Sequence, residues 1–302
     1  MSTTPTWDAD IQDPSDCVYL RCIIMSDISI REGDLKGLKG KRVVVTGGSS
    51  GIGLGFANLV SSLGGLVVNG DLRAPQEALP GVTFFATDTT SWSSLINLFE
   101  FANNTMGGID MIAANAGVST CEDYLSGELD GKGKLKEPTH DNLRVNLISC
   151  INSVILGVHH LRQQGEGGAI VITASASSFQ RFIATDYAVG KHGILGFMRS
   201  LADRLDQSEQ IHIGAVAAIW TSTGMLSDQV AQCVPTQDAR TVALSIAWLA
   251  LHAETHGQVI YSASGSYREI ELPIQSYTRK LLGVEKSEGE LAIELSKRGA
   301  LE

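Results

Sequence analysis

"TGGSSGIG", residues 46–53, follows the β-branched run "KRVVV" (41–45) and opens "GIGLGFANLVSSLG" (51–64), whose apolar residues recur at three- and four-residue steps. A β-rich run that breaks into glycines and then takes up a helical repeat reads as strand, tight turn and helix. In that setting a glycine-rich loop is a candidate phosphate cradle. Residues without Cβ let the backbone approach a pyrophosphate, and the unpaired N–H groups of the helix start face the anion. The candidate cradle is Thr46, Gly47, Ser49, Ser50, Gly51, Ile52 and Gly53.

Working outward, short β-branched runs alternate with helical repeats along most of the chain. The strand candidates are 41–46, 66–70, 82–86, 109–114, 169–173, 211–217 and 258–263. Between them "SWSSLINLFEFANNT", "HDNLRVNLISCINSVILGVHHLRQQ", "YAVGKHGILGFMRSLADRL" and "DARTVALSIAWLALHAE" carry amphipathic helical spacing. The alternation predicts an α/β fold, a Rossmann-type doubly wound parallel sheet of about seven strands with helices on both faces, in a single domain. In this reading residues 37–270 form the one folded domain. An N-terminal arm, disordered in this reading, covers 1–36, and a C-terminal tail with a short helix covers 271–302. The segment from Cys121 to Pro138 holds "DGKGKLKEP", whose glycines and lysines predict a mobile loop between the fourth strand and the long helix.

The second strand runs into Asp71, eighteen residues beyond Gly53. A carboxylate at that distance suits the adenosine ribose hydroxyls and repels a 2′-phosphate, which favours NAD over NADP. Arg73 stands two residues on and keeps NADP open if its side chain turns inward. A second motif, "YAVGK" (187–191), puts a phenol and an ammonium four positions apart, on one face of a helix. A free phenol, with a pKa of about 10, accepts protons poorly at neutral pH, and an adjacent ammonium favours its ionised form.

Composition narrows the function further. With 33 acidic and 23 basic residues the net charge is -10, which repels phosphate backbones and anionic lipid surfaces, so neither nucleic acid nor a membrane is an expected partner. The apolar run "CVYLRCIIM" (17–25) contains an arginine and is far shorter than the roughly 20 residues of a membrane span. Five scattered cysteines without a CxxC pair predict reduced thiols and a cytoplasmic setting. No HExxH or comparable spacing is present, and no metal is expected.

Taken together, "TGGSSGIG", "ANAG" (114–117), Asn146 in "RVNL", "IVITASAS" (170–177) and "YAVGK" resemble the short-chain dehydrogenase/reductase family, in the family's order and over about residues 37–270. The resemblance implies that Tyr187 is the general acid/base, that Lys191 holds the nicotinamide ribose, and that Ser175 orients the substrate oxygen. It also implies that Asn146 positions a proton-relaying water, that Asp88 and Asn115 line the adenine and ribose side, and that Thr223 contacts the cofactor. Ser175 lies twelve residues before Tyr187, one fewer than the usual family spacing, and Ser177 and Ser178 compete for its role. Ala218 and Ile219 stand where the family commonly has Pro-Gly, and Ala114 where it has asparagine.

Met225, Leu226, Val230 and Val234 suggest an apolar small-molecule substrate, and Trp220 and Phe179 are either aromatic walls of its site or ordinary core packing. The pattern looks like the fungal and prostaglandin-dehydrogenase-like branch of the family. That implies NAD-dependent interconversion of a secondary alcohol and a ketone on a lipid-like or specialised metabolite. A non-redox isomerisation or cyclisation and a cofactor-sensing role without turnover remain as alternatives. Helices matching 140–164 and 187–205 pair between subunits in many family members, so a homodimer or homotetramer is expected.

Overall fold

A computed structural model describes residues 27–205 and 207–298. In chain order its strands are β1 (Asp27–Ile28), β2 (Arg42–Thr46), β3 (Leu66–Asp71), β4 (Val82–Ala86), β5 (Met111–Ala114), β6 (Gly168–Thr173), β7 (Ile211–Ala218), β8 (Thr221–Ser222), β9 (Gln237–Asp238), β10 (Val259–Ala263) and β11 (Ser266–Glu269). Its helices are α1 (Gly51–Ser62), α2 (Trp92–Met106), α3 (Ser149–Gln164), α4 (Thr185–Ala202), α5 (Asp228–Cys233), α6 (Ala239–Leu251), α7 (Glu271–Leu282) and α8 (Glu288–Lys297). One sheet runs in the order β1-β11-β10-β7-β6-β5-β2-β3-β4, and β8 pairs with β9 apart from it.

From β10 across to β4 every neighbouring pair is parallel. Such strands are buried on both faces, which is why they read as continuous apolar runs. Val43 and Val45 of β2 pack with Phe56, Leu59 and Val60 of α1 and Val242 and Ile246 of α6. Val44 points the other way, to Leu95 and Phe99 of α2, Val154 of α3 and Ile194 and Met198 of α4. The alternating Cβ direction of a strand thus sorts one sequence run into two cores.

The sheet holds nine strands, two more than the sequence pattern predicts. Both additions are antiparallel and lie at one edge: β11 folds back on β10 and β1 caps β11. The β10–β11 hairpin turns through Ser264 and Gly265, with φ of 49° and 86°. Two central residues at positive φ make the tight hairpin turn usually signalled by Asn-Gly, and Ser-Gly is a weak form of that signal. The N-terminal arm expected over 1–36 lies largely outside the described residues. From Asp27 it forms β1 and the 3-10 helix Glu32–Leu38, whose Leu35 and Leu38 are fully buried. In the tail, α7 is anchored by the buried Glu271 carboxylate, which accepts both prongs of Arg199 at 2.5 and 2.9 Å.

The segment 121–138 makes local contacts of its own. Leu129 and Leu135 form an antiparallel bridge. Glu122 accepts from Thr139 N at 3.0 Å, and Lys136 pairs with Glu128 at 3.0 Å. The chain then enters α3 through the helical turn Asp141–Leu143 and a π-helical turn, Arg144–Ile148. A single repeat of π geometry inside a helix is rare and recurs at functional sites.

Candidate active site

The carboxyl ends of β2, β3, β5 and β6 come into register, with Thr46 beside Gly70 and Ala114, and Ala114 beside Ile172. From β2 the chain moves outward to β3 and β4 and then returns to β5 on the other side, so a crevice opens above the β2–β5 seam. Ligands of open α/β sheets bind at such switch points. A cavity of about 780 Å³ occupies this position.

The glycine loop lies at one end of it. Gly47 and Gly51 have φ of 70° and 53°, a region closed to most side chains. A Cβ on Gly47 would lie 2.7 Å from Ala116 Cα, and one on Gly51 would lie 2.9 Å from a Thr223 methyl carbon. On Gly53 it would strike the Gly47 carbonyl oxygen and come within 2.5 Å of Asn115 Nδ2. Ser50 caps α1 without a side-chain hydrogen bond, leaving the first-turn N–H groups of Gly51 and Ile52 to the cavity they line. Such a cradle accommodates a dinucleotide pyrophosphate.

Short polar side chains fix the loop from beneath. Thr46 Oγ1 accepts from Asn115 N at 3.1 Å and Ala116 N at 3.3 Å. Asn115 Nδ2 donates to Gly47 O at 3.0 Å, and its Oδ1 accepts from Thr173 Oγ1 at 3.0 Å. The buried Asn69 accepts from Gly48 N at 2.9 Å and donates to Ser49 Oγ at 2.9 Å. Asn69 was not singled out in the sequence; an asparagine inside "LVVNG" is its only mark there.

Asp71 ends β3, lines the cavity and accepts from Ser49 N at 3.0 Å through Oδ2. Arg73 is exposed and does not line the cavity. Asp88 does not itself line the cavity. Its carboxylate caps its own turn, accepting from Thr90 N at 2.9 Å and Thr90 Oγ1 at 2.7 Å, and Thr87 and Thr89 line the cavity in its stead.

Lys191 is buried, 5% exposed, and donates to Thr173 O at 2.8 Å. An ammonium carries three donors, so two stay available at the cavity wall. Its Nζ lies 5.7 Å from the Tyr187 ring centroid, and both residues line the cavity, as α-helical i, i+4 spacing requires. Cys150, fully buried behind them, has its thiol pushed up to about 12 by burial, so it is a protonated filler.

Asn146 is brought near these residues but not to the cavity. It sits in the π-helical turn, fully buried, and clamps Val118: Oδ1 accepts from Val118 N and Nδ2 donates to Val118 O, both at 2.9 Å. Nδ2 also donates to Asn142 Oδ1 at 2.6 Å. With both amide hydrogens engaged, this side chain holds the wall "NAGV" in place from behind. Asp186 does similar work at the start of α4. Its carboxylate is 2% exposed and accepts from Tyr187 N at 2.8 Å and Glu122 N at 3.1 Å, tying the 121–138 hairpin to the helix that carries Tyr187. Burial and this carboxylate push the neighbouring Cys121 thiol up.

Three serines follow β6, and the structure separates them. Ser178 Oγ accepts from Ser175 N at 3.3 Å and does not line the cavity. Ser175 Oγ accepts from Ser177 N at 3.1 Å, and both Ser175 and Ser177 line the cavity. Beyond them the walls are apolar. Phe182 lies 5.9 Å from the Tyr187 ring and 5.8 Å from Trp220, and Ile183, Met225, Leu226 and Val230 complete that end with Ala218, Ile219 and Thr223. Phe179 and Val234, expected here, are not in the lining. Phe179 packs on the core with Arg199 5.9 Å from its ring.

Glycine cradle, acidic strand end, and a Tyr-Lys pair above one sheet seam define a Rossmann-type nucleotide-dependent enzyme. The short chain dehydrogenase family model matches residues 41–233, and the chain belongs to that family, which binds nicotinamide cofactors. It is 42% identical over 255 residues to the short-chain dehydrogenase/reductase ascJ of Acremonium egyptiacum, covering 82% of this chain and 86% of that one. It is 36% identical over 248 residues to prx4 of Penicillium rubens, another short-chain dehydrogenase/reductase, covering 78% and 74%. The fold matches a crystal structure of a short-chain type dehydrogenase/reductase from Mycobacterium marinum at a TM-score of 0.65 and 21% identity, over 78% of this chain and 98% of that one. Among the described residues no helix is long and apolar enough to cross a membrane, and no group of three His, Cys, Asp or Glu is placed to hold a metal ion.

Proposed function

We propose that this chain is an NAD-dependent oxidoreductase that interconverts a secondary alcohol and a ketone on an uncharged, largely apolar substrate, with residues 37–270 as its catalytic unit and 271–302 as an appended tail. The observation that carries this reading is that Tyr187, Lys191 and Ser175 line the same cavity as the glycine cradle. Residues Thr46–Gly53 and Asn115 would hold the dinucleotide, with Asp71 on its ribose. The nicotinamide supplies or accepts the hydride when bound. Ser175 Oγ orients the substrate oxygen, and Tyr187 passes a proton to or from that oxygen as charge develops on it. Lys191 holds positive charge beside the phenol, and Asn146 acts through Val118 as a positioning residue.

Among the cavity-lining residues the charged ones are Asp71 and Lys191, both assigned to the cofactor, so nothing charged is left to grip an anionic substrate. Asp71 supports NAD because a carboxylate there repels a 2′-phosphate. Exposed Ile148, Ile155 and Val189, on the long helix and α4, support self-association as a dimer or tetramer. The test is to mix purified protein with NAD or NADP and a panel of apolar secondary alcohols and follow reduced nicotinamide. Turnover with NAD, preference shifting at least tenfold towards NADP in Asp71→Ala, is the expected result. Cofactor binding without turnover on any alcohol or ketone would move the chain to the non-redox reading.

A further inference from the structure

The tail helix α7 is joined to the turn that carries Ser175 through one side chain of α4. Arg199 turns both prongs onto the fully buried Glu271, at 2.5 and 2.9 Å, and its guanidinium carbon lies 5.9 Å from the centre of the Phe179 ring. Gln275, one turn along α7, donates to the same Glu271 carboxylate at 2.9 Å. Ile270, beside Glu271 in the chain, packs on the same core as Phe179. Arg199 thus stands between the first turn of the tail and the loop after β6.

Phe179 is the last residue of a closed unit. Ser178 N donates to Ser175 O at 2.9 Å and Phe179 N to Ala176 O at 3.2 Å. Ser175 N donates to Ser178 Oγ at 3.3 Å and Ser177 N to Ser175 Oγ at 3.1 Å. A segment tied across itself in this way moves as one piece, so a displacement of Phe179 is carried back to Ser175. Strand β6 fixes one end of the piece, and the packing of the Phe179 ring fixes the other.

An ion pair with a buried member is a poor source of stability, because two apolar side chains of similar volume often serve as well or better. What the pair supplies and they do not is direction. Two-pronged pairing with a carboxylate sets the plane of the guanidinium, and a cation within about 6 Å of a ring centroid is attracted to the ring. Resting on the oxidoreductase reading, in which Ser175 orients the substrate oxygen, we infer that Arg199 and Glu271 are positioning residues. They fix the Phe179 ring and, through the closed turn, the Ser175 hydroxyl. The first turn of the tail is therefore part of the support of the active site.

The test uses the full chain carrying Arg199→Met together with Glu271→Leu, which removes both charges and leaves no unpaired carboxylate buried, and a second variant, Arg199→Lys, which keeps a cation without the fork. Exchange of backbone amide hydrogens, followed by mass spectrometry without substrate, reads the turn directly. In the double variant the amides of 175–179 are expected to exchange at least about fivefold faster than in wild type while those of 46–53 stay within about twofold, with Arg199→Lys between. No change in the turn overturns the inference, and so does an equal change in both segments, which marks general loosening. Kinetics read the consequence. The double variant is expected to lower kcat at least about tenfold with dinucleotide affinity within about twofold of wild type, and to cost less than about twofold when added to Ser175→Ala, because residues that act as a unit are not additive. An unchanged kcat, or a tenfold loss that persists in the Ser175→Ala background, overturns the route through the turn. If wild type turns over no alcohol or ketone, hydride transfer falls by itself, and the exchange measurement alone decides whether the ion pair holds the turn.

Discussion

The two ends of the cavity are built by different means. At the cofactor end almost every polar group is spoken for inside the chain: Thr46, Asn69, Asn115 and Thr173 fix one another and the glycine loop, and a single added Cβ would collide with backbone. At the substrate end the walls are largely aromatic and aliphatic side chains on loops. Fixed backbone donors suit a ligand whose shape never varies. Apolar walls tolerate exchange of one side chain for another, because they select by volume and by the few polar groups they contain.

The largest expected effect falls at the junction of the two ends. Tyr187→Phe should lower kcat on the order of 10³-fold while leaving dinucleotide affinity within about twofold, measured by steady-state kinetics and by titration of reduced cofactor fluorescence. An equal loss of both would place the phenol in binding and erase the distinction. Gly53→Ala tests the crowded end: cofactor affinity should fall at least about tenfold and stability by about 1–3 kcal/mol, since the new methyl must displace backbone. A matching small-to-large change at the other end, Ala184→Val on the cavity wall, should move stability by under about 1.5 kcal/mol.

Asn146→Ala probes the positioning role. It removes both bonds to Val118 and leaves that N–H and C=O unpaired, for a loss of about 2 kcal/mol in urea unfolding. The fall in kcat should exceed any rise in KM, because the residue acts through the wall and does not touch the substrate. The smallest effect belongs far from the cavity, at the amino ends of the strands, where Arg42 and Asp110 pair at 2.7 Å. Burial pushes the Asp110 carboxyl up, but hydrogen bonds and charge from Arg42 outweigh it and hold the group below its ordinary value. A depressed carboxyl contributes stability above its unfolded pKa of about 3.9 and loses it as pH falls through the folded value. Asp110→Asn should therefore cost about 1 kcal/mol at pH 7, with the gap to wild type closing below about pH 4 in urea midpoints, and leave the kinetics of both cavity ends unchanged.

What could be read from the sequence was whatever short-range order forces. The seven central strands, the cradle over Thr46–Gly53, the helix carrying Tyr187 and Lys191, and Asp71 at a strand end all follow from periodicity, glycine placement and i, i+4 geometry, which act within a few residues. The edge strands β1 and β11 escaped because a two-residue strand has no period to detect and Ser-Gly is a muted turn signal. Asp88 and Phe179 carry residue types suited to a site, but neither lines the cavity: Asp88 Oδ1 bonds Thr90, and Phe179 packs on the core.

Only the tertiary structure decided which of three near-identical serines line the cavity, that Asn146 clamps Val118 across 28 residues of chain, and that Asp186 ties a distant hairpin to the helix carrying Tyr187. These are long-range pairings. A serine's letter and spacing record that a hydroxyl exists, while its partner is chosen by whatever the fold brings within about 3 Å of it.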